Sequence, residues 1–334
     1  MILTRAADRD LTDNMGRRIT YLRISVTRSC NLRCGYCYGS QGPVGRDGRS
    51  LSDGEVVRAI RGFAILGINK IRFTGGEPLL RKGMPEIIKT VSCLPSISTV
   101  GLTTNGILLS KYLRPLIDAG LNRLNVSLDT LDREKFKSIT GADGFERVYR
   151  AVMDAVDSGA FGRVNINTVI MRGINDMEIS GFAEWALSRQ IELRFIEFMP
   201  ILRSGRRANL FVAENEIKRR IGLDLSEDDS GRNSGGPAIT YRHGGNPGRI
   251  GFISARSRCF CGDCNRLRLT SSGNVLGCLF GKNGIDLKKL LSGPAGADEI
   301  AGYVRSKIMM PGFRRKPGDN SIGNTKPFMR GIGG

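Results

Sequence analysis

Short β-branched segments alternate with amphipathic ones over the first two hundred residues of the chain. The strands predicted from this pattern are residues 21–27, 70–74, 99–104, 123–128, 164–171 and 192–198. The helices predicted between them are residues 52–67, 84–92, 111–119, a stretch through 158, and 177–189. Such alternation indicates a parallel sheet with right-handed crossovers, and both an open α/β sheet and a partial barrel satisfy it.

Polar, turn-forming residues recur where the predicted strands end. They are Thr27 and the segments 75–78, 103–106, 127–129 and 197–199. In a barrel the carboxyl ends of parallel strands surround one mouth, where active sites are found. Ordinary loop composition explains any one of these segments, but their recurrence favours a barrel-like site.

A change of composition divides the 334 residues. Residues 225–248 are rich in Ser, Gly, Asp and Asn, which is typical of a loop or linker. We therefore predict two domains, residues 1–224 and 225–334. No apolar run of about 18 residues is present, and the N-terminus lacks the apolar segment of a secretory signal. These features predict a soluble, cytoplasmic protein without a membrane partner.

The scarcity of histidine narrows the chemistry. His243 is the single histidine, which argues against Ser-His-Asp catalysis and excludes sites built on several imidazoles. Metal chemistry must then use sulfur or carboxylate. The eight cysteines are Cys30, Cys34, Cys37, Cys93, Cys259, Cys261, Cys264 and Cys278. Clustered cysteines in a cytosolic chain of this length indicate metal ligands rather than disulfides, whereas Cys93, alone at a predicted helix end, is expected in the core.

The first cysteine group has the spacing C-x3-C-x2-C, at Cys30, Cys34 and Cys37. Three neighbouring thiolates can hold three irons of a 4Fe–4S cluster and leave the fourth iron open. An open metal position is where a substrate or cofactor binds. The alternatives are a zinc site that borrows a distant fourth cysteine, and reduced core cysteines.

The second group, Cys261, Cys264 and Cys278, again offers three thiolates. Cys259 could supply a fourth and close a structural zinc site, so zinc stays open here. Arg266 and Arg268 lie two residues apart, and in a strand both would face one side, beside the metal. Two guanidinium groups near an open iron suit a phosphate or a purine, although solvated surface charge would also explain them.

The charge balance points in the same direction. The formal net charge is +19, and arginine exceeds lysine. An anionic partner such as a nucleotide, a nucleic acid or a membrane surface would account for the charge, as would arginines scattered over the surface. Arginine favours bidentate phosphate contacts over diffuse attraction.

The first cysteine group and Gly75–Pro78 resemble the signature of the radical S-adenosylmethionine superfamily. The resemblance implies a partial (β/α)6 TIM-like barrel with a C-terminal iron–sulfur extension. It implies that the amino and carboxylate groups of S-adenosylmethionine chelate the open iron of the first cluster. Reductive cleavage then gives a 5′-deoxyadenosyl radical. The glycines would let backbone groups approach the methionine moiety.

The chain as a whole resembles the GTP 3′,8-cyclase family of molybdenum cofactor biosynthesis. The matching segments are 23–27, 101–106, 125–129, 194–199, 260–269 and the terminal 332–334. The resemblance implies two 4Fe–4S clusters, on the two cysteine groups, and cyclisation of GTP through hydrogen abstraction at ribose C3′ and attack on C8. It assigns nucleotide contacts to Arg23, Arg72, Thr103, Arg266, Leu267 and Arg268, S-adenosylmethionine contacts to Tyr36, Gly76, Ser127 and Met199, and catalytic roles to Arg23, Arg266, Arg268, Gly333 and Gly334.

The same resemblance implies partners: a flavodoxin- or ferredoxin-like reductant, the downstream cyclic pyranopterin monophosphate synthase, and no nucleic acid, with a homodimer as one option. One departure is Asn165, which stands where the family has a basic nucleotide contact, so either Arg163 replaces it or the contact is lost. Two alternatives stay open. One is a radical enzyme that modifies RNA or peptides, and the other is a non-catalytic zinc- or iron–sulfur-bearing nucleic-acid-binding protein.

Overall fold

The structure, a computed structural model, describes residues 10–38, 50–199, 209–228, 236–258, 260–279, 284–310 and 313–314. Within these ranges the strands are β1 Tyr21–Ser25, β2 Lys70–Thr74, β3 Thr99–Thr104, β4 Arg123–Ser127, β5 Val164–Ile170, β6 Ile191–Glu197, β7 Ser226–Glu227, β8 Ile239–Arg242, β9 Arg249–Ile253, β10 Arg266–Leu269, β11 Asn274–Leu276 and β12 Gly284–Asp286. The helices are α1 Gly35–Tyr38, α2 Asp53–Ile65, α3 Met84–Ser92, α4 Leu109–Asp118, α5 Arg133–Thr140, α6 Phe145–Asp157, α7 Ile179–Leu187, α8 Glu214–Ile221, α9 Lys288–Ser292 and α10 Ala297–Ile308.

All of these strands belong to one unclosed sheet, in the order β12-β11-β10-β1-β2-β3-β4-β5-β6-β9-β8-β7. The middle of the sheet, from β10 through β1–β6 to β9, is parallel throughout. The outer pairs on both sides are antiparallel. The predicted partial (β/α)6 barrel of β1–β6 is confirmed.

The C-terminal part of the chain extends both edges of this barrel. Strand β10 pairs with β1 at one edge, and β9 pairs with β6 at the other. Helix α10 packs against α2, where a Cβ on Gly62 would lie 2.7 Å from Ile300 Cγ2. The division into residues 1–224 and 225–334 stays a prediction, but the strands on its two sides share one sheet.

Alternation along the strands separates the core from the interior of the barrel. In β6, Ile191, Leu193 and Phe195 are buried in the main hydrophobic core. The residues between them, Glu192 and Arg194, line a cavity on the other face. Since successive side chains of a strand point to opposite faces, the sheet packs on its helices with one face and offers polar groups to the interior with the other.

The predicted helix start at Ser52 is confirmed in detail. The Ser52 hydroxyl accepts from Glu55 N, and the Glu55 carboxylate accepts from Ser52 N at 2.6 Å, which completes a capping box. The predicted helical stretch through 158 is two helices, because Gly141 ends α5 in the left-handed conformation at φ 72°.

Cys93 is exposed at the C-cap of α3, so its predicted place in the core was wrong. No helix of the described segments is long and apolar enough to cross a membrane.

Candidate active site

Three arginines form a row across neighbouring strands of the barrel wall. In the register of the sheet, Arg268 of β10 lies opposite Arg23 of β1, and Arg23 lies opposite Arg72 of β2. Adjacent strands are about 4.8 Å apart, so three guanidinium groups project from one wall at one level. All three line the same cavity, whose volume is about 810 Å³. We call Arg23, Arg72 and Arg268 the arginine row.

Neutral groups hold Arg72 in place. Its Nε donates to Tyr21 Oη at 2.6 Å, and its Nη1 donates to Asn125 Oδ1 at 2.6 Å. Gly101 is the residue opposite it on β3, and a Cβ there would lie 3.0 Å from Arg72 Cζ. Gly101 therefore leaves the space that the guanidinium occupies. Tyr21, Gly101 and Asn125 were not predicted as site residues. Each lies two positions from a predicted contact on the same predicted strand, and this even spacing placed it on the same face.

Burial and the closeness of these cations lower the pKa values of two of the arginines. Burial, and then repulsion from Arg268, lower the pKa of Arg23 to about 9. Burial and Arg266 likewise lower the pKa of Arg268 to about 10. Burial alone would raise the pKa of the Tyr21 hydroxyl, but Arg72, Arg23 and Arg266 bring it down to about 8. Such crowding is unfavourable, and a bound anion would relieve it.

The cavity as a whole carries an excess of positive charge. Besides the arginine row and Arg266, its lining includes Lys70, Arg123, Arg163, Arg194 and Arg249. The described lining has two carboxylates, and both already face arginines: Glu192 lies 2.6 Å from Arg194, and Asp228 lies 2.7 Å from Arg249. Guanidinium groups in excess over carboxylates suit a ligand with several phosphates.

The second cysteine group opens onto the same cavity. Cys261, Cys264 and Cys278 all line it, together with Arg266 and Arg268. The two arginines share one face of β10, as predicted from their spacing. Burial by itself raises the pKa of the Cys264 thiol, but Arg266 and Arg314 lower it to about 7. Cys259, the fourth ligand of the alternative zinc site, lies outside the described residues.

The first cysteine group lies in the segment that follows β1 and includes α1. Burial raises the pKa of the Cys34 thiol, and nearby Asp129, Cys37 and Cys30 raise it further, which shows that the three thiols are neighbours. Asn105 Nδ2 donates to Cys30 Sγ at 3.7 Å. These thiols stand at the carboxyl end of the strands, which is the mouth predicted from the sequence.

The predicted S-adenosylmethionine contacts lie around that mouth. Met199, just after β6, lines the cavity, and Ser127 ends β4. Tyr36 Oη donates to Asp129 Oδ2 at 2.7 Å. The Gly76 amide donates to Thr27 O at 2.8 Å, so that N–H is already used. The four contacts with the cofactor stay predictions.

Close backbone packing explains the two glycines of the Gly75–Pro78 turn. A Cβ on Gly75 would lie 2.5 Å from Thr27 O, and a Cβ on Gly76 would overlap Ser29 O. Only glycine allows the turn after β2 to lie against residues 27–29, directly before Cys30. This reason differs from the predicted approach of backbone amides to a ligand.

Two predicted nucleotide contacts are placed differently from the arginines. Leu267 is fully buried in the core, on the face of β10 opposite Arg266 and Arg268, so only its backbone faces a ligand. Thr103 lies on β3, and its Oγ1 is buried without a hydrogen-bond partner among the described residues. Gly333 and Gly334 lie outside the described residues. These contacts stay predictions.

Asn165, which stands where the family has a basic nucleotide contact, donates hydrogen bonds to the neighbouring strand β4. Asn165 Nδ2 donates to Leu124 O at 3.0 Å and to Asn125 Oδ1 at 3.2 Å. Arg163, two residues earlier, lines the cavity with its Nε bonded to Pro247 O at 3.0 Å. A basic group is thus available on this strand's side of the cavity despite the asparagine.

Three thiols in each cysteine group fit the protein ligands of a 4Fe–4S cluster with one open iron. Within the described ranges, no group of three His, Cys, Asp or Glu side chains could hold one metal ion. In a cubane each cysteine ligates its own iron, so the thiolates need not converge on one point. Beside the second group, Arg17 donates from Nη1 to Cys261 O at 2.5 Å. Its Nη2 is buried without a hydrogen-bond partner among the described residues and needs an acceptor.

The barrel and the first cysteine group define a radical S-adenosylmethionine enzyme. Residues 24–186 match the Radical SAM superfamily, and residues 191–315 match Molybdenum Cofactor Synthesis C. The chain belongs to the GTP 3′,8-cyclase family. It is 40% identical to the GTP 3′,8-cyclase of Thermodesulfovibrio yellowstonii, over 97% of this chain and 100% of the relative. The match to the GTP 3′,8-cyclase of Pelotomaculum thermopropionicum is also 40%, over 94% and 100%.

The chain is also similar to a further relative in sequence and to a solved structure in fold. Molybdenum cofactor biosynthesis protein 1 of Drosophila melanogaster is 40% identical over 86% of this chain and 51% of that protein. The crystal structure of Streptococcus suis SuiB bound to S-adenosylmethionine superposes with a TM-score of 0.59 at 14% identity, covering 87% of this chain and 69% of that one. At that identity the likeness concerns the fold alone.

Proposed function

We propose that the protein converts GTP to (8S)-3′,8-cyclo-7,8-dihydroguanosine 5′-triphosphate, the first step of molybdenum cofactor biosynthesis. One observation carries the proposal: the second cysteine group and the arginine row line one cavity with a large excess of positive charge. A nucleoside triphosphate combines the polyanion that such a lining attracts with a base that can reach an open iron.

Cys30, Cys34 and Cys37 would hold one 4Fe–4S cluster, and Cys261, Cys264 and Cys278 the other. When bound and reduced, the first cluster supplies the electron that cleaves S-adenosylmethionine. Met199 borders both the predicted cofactor mouth and the cavity, which supports neighbouring sites for the two ligands.

The cations of the cavity would bind and orient the nucleotide. Arg72 is held by Tyr21 and Asn125 before any ligand arrives, so little side-chain entropy is lost when it binds a phosphate. Arg23 and Arg268 are crowded in the free protein, and a bound triphosphate would neutralise them. Arg266, next to Cys264 and facing the same cavity, would orient the base at the second cysteine group.

The proposal extends to the surroundings of the reaction. We expect a flavodoxin- or ferredoxin-like protein as reductant and cyclic pyranopterin monophosphate synthase as the consumer of the product. We expect the protein to act in the cytoplasm, as a monomer or homodimer, without nucleic acid.

The test is reconstitution under anaerobic conditions, with iron and sulfide counted per chain. The wild type should hold about eight irons, and the C261A/C264A/C278A variant about four. The wild type should form the cyclic product from GTP and S-adenosylmethionine. The variant should still cleave S-adenosylmethionine slowly but form no product.

The alternatives give different results. Four irons in both proteins, with one zinc lost in the variant, would keep the radical enzyme and contradict GTP as its substrate. Tight binding of RNA or a peptide together with indifference to GTP would favour the modifying enzyme. A function unchanged by C30A/C34A/C37A would favour the non-catalytic protein.

A further inference from the structure

The loop that carries two ligands of the second cysteine group is held from both ends of the chain. We propose that Asp13, Arg17 and Arg314 are positioning residues, which fix this loop and thereby set the occupancy of its cluster and the affinity for GTP. We call the three residues the brace. The inference rests on the proposed function, because it takes Cys261 and Cys264 as ligands of an iron–sulfur cluster.

The N-terminal half of the brace is Asp13 with Arg17. Arg17 Nε donates to Asp13 Oδ2 at 2.8 Å, and the side chain of Asp13 is fully buried. Asp13 Oδ1 also accepts from the backbone amides of Met15 and Arg17 at 2.9 and 3.0 Å. With Arg17 fixed in this way, its Nη1 donates to Cys261 O.

The C-terminal half is Arg314, three hundred residues further along the chain. Its Nε lies 3.0 Å from Asp13 Oδ2, and its side chain is 2% exposed. Its Nη1 donates to Arg266 O at 3.0 Å, and its Nη2 donates to Cys264 O. One buried carboxylate thus lies against two guanidinium groups, and these two groups donate to three carbonyls of the segment, those of Cys261, Cys264 and Arg266.

The loop also has contacts outside the brace, among them the Asn265 Nδ2 group, which donates to Thr20 Oγ1 at 2.9 Å. Asn265 O accepts from Thr20 N and Tyr21 N at 3.2 and 3.3 Å, and Cys264 N donates to Cys261 O at 3.4 Å. The anchors from residues 20 and 21 belong to the same N-terminal segment as Asp13 and Arg17. Hydrogen bonds from charged donors are stronger than neutral ones, so the brace contributes strongly to the position of the loop.

The net charge of the brace is opposite in sign to that of the cluster that the loop would hold. Two guanidinium groups against one carboxylate leave about one net positive charge, whereas three thiolates on a cubane of charge +2 carry about one net negative charge. Buried opposite charges of this kind stabilise each other and influence the reduction potential of a cluster. The brace lies outside the lining of the cavity, so it acts on GTP only through the loop.

The test compares Arg314→Gln with Arg18→Gln in the full-length reconstituted protein. Arg18 is the neighbour of Arg17 in the chain, and it also pairs with an aspartate, but its ion pair with Asp10 is exposed to solvent. We expect Arg314→Gln to lower the iron content from about eight toward about four per chain. We expect it to raise the Kd for GTP at least tenfold, whereas Arg18→Gln should match the wild type in both measurements.

Folding and mechanism are separated by two further readouts. Retention of the first cluster, measured as the remaining iron and as uncoupled cleavage of S-adenosylmethionine, shows that the barrel of Arg314→Gln is intact. Arg314→Lys keeps the charge but cannot donate to two carbonyls from a planar fork, so we expect it to behave like Arg314→Gln. Should the Arg314 variants not fold, Arg17→Gln, which loses the contact with Cys261 O, is expected to give the same loss of iron.

Three results would overturn the inference. The first is an Arg314→Gln protein with the iron content, electron paramagnetic resonance signals and GTP affinity of Arg18→Gln. The second is full rescue by Arg314→Lys, because charge alone would then be sufficient. The third is a wild type with four irons, which would remove the proposed function along with the brace, whereas the first two results leave that function standing.

Discussion

Removal of one charge from the arginine row should stabilise the free protein while it weakens GTP binding. Arg23→Met replaces the guanidinium by an apolar side chain of similar length. In the free protein burial disfavours the charge of Arg23, and Arg268, Arg266 and Arg72 repel it, while attraction to Tyr21 offsets part of this cost. We therefore expect opposite effects of the substitution on the free protein and on the complex with GTP.

The magnitude follows from the perturbed pKa of Arg23. A decrease from 12.5 to about 9 corresponds to roughly 5 kcal/mol against the charged form. The side chain is only half-buried, and cavity water screens it, so a net cost on the order of 1–2 kcal/mol is realistic. For a chain of this length we expect the Tm of Arg23→Met to rise by roughly 2–4 °C.

The pH dependence has a definite sign. Because the folded-state pKa of Arg23 is lowered, the cost of its charge is fully present below about pH 9 and decreases as the pH rises toward 12.5. The Tm difference between wild type and variant should therefore be constant from pH 6 to 8. It should narrow above pH 9.

The assay is thermal unfolding of the reconstituted proteins with and without GTP. At a GTP concentration one hundred times its Kd the wild type should gain about 2.7 kcal/mol, and the variant should gain little at the same concentration. Arg114→Met is the matched control, because Arg114 is exposed on α4 and pairs with Asp118. A free Arg23→Met protein that is less stable than the wild type would refute the reasoning, since Arg23 would then be a structural residue rather than a crowded cation.

Three further predictions concern residues around the site. Gly76→Ala should displace residues 27–29 and lower the iron content by about half. The control is Gly54→Ala, which has open space around it and should keep the iron content of the wild type. Equal iron contents in the two variants would contradict the close-packing explanation. Leu267→Ala should lower the free energy of unfolding, measured with denaturant, by about 2–5 kcal/mol. The folded variant should keep the KM of the wild type for GTP. A raised KM would show that the Leu267 side chain contacts the nucleotide. Burial raises the pKa of Glu77 to about 7, so its carboxyl ionises at lower pH in the unfolded chain than in the folded protein. The Tm of the wild type should therefore fall as the pH rises from about 4.5 to 7. Glu77→Gln should remove this pH dependence of the Tm, and an unchanged pH dependence would assign it to another group.

Much of the fold could be predicted from local patterns. The bounds of β2, α3 and β3 were predicted to the residue, because each has a single period of hydrophobicity and ends at a turn-forming residue. The places where prediction was less accurate are those without such a boundary. The left-handed Gly141 that separates α5 from α6 resembles any other glycine in the sequence.

In the candidate site, too, some features could be predicted from local patterns and others could not. The sequence by itself determined the cysteine groups and the shared face of Arg266 and Arg268, because ligand spacing and strand alternation are local properties. Only the tertiary structure decided that Arg268, Arg23 and Arg72 stand in one row, since the register of β10, β1 and β2 joins residues about fifty and two hundred and forty positions apart. The same holds for the brace, where one buried carboxylate near the N-terminus orients Arg314 at the other end of the chain. Contacts of this kind depend on which strands become neighbours, and that depends on burial of the whole core rather than on any local pattern.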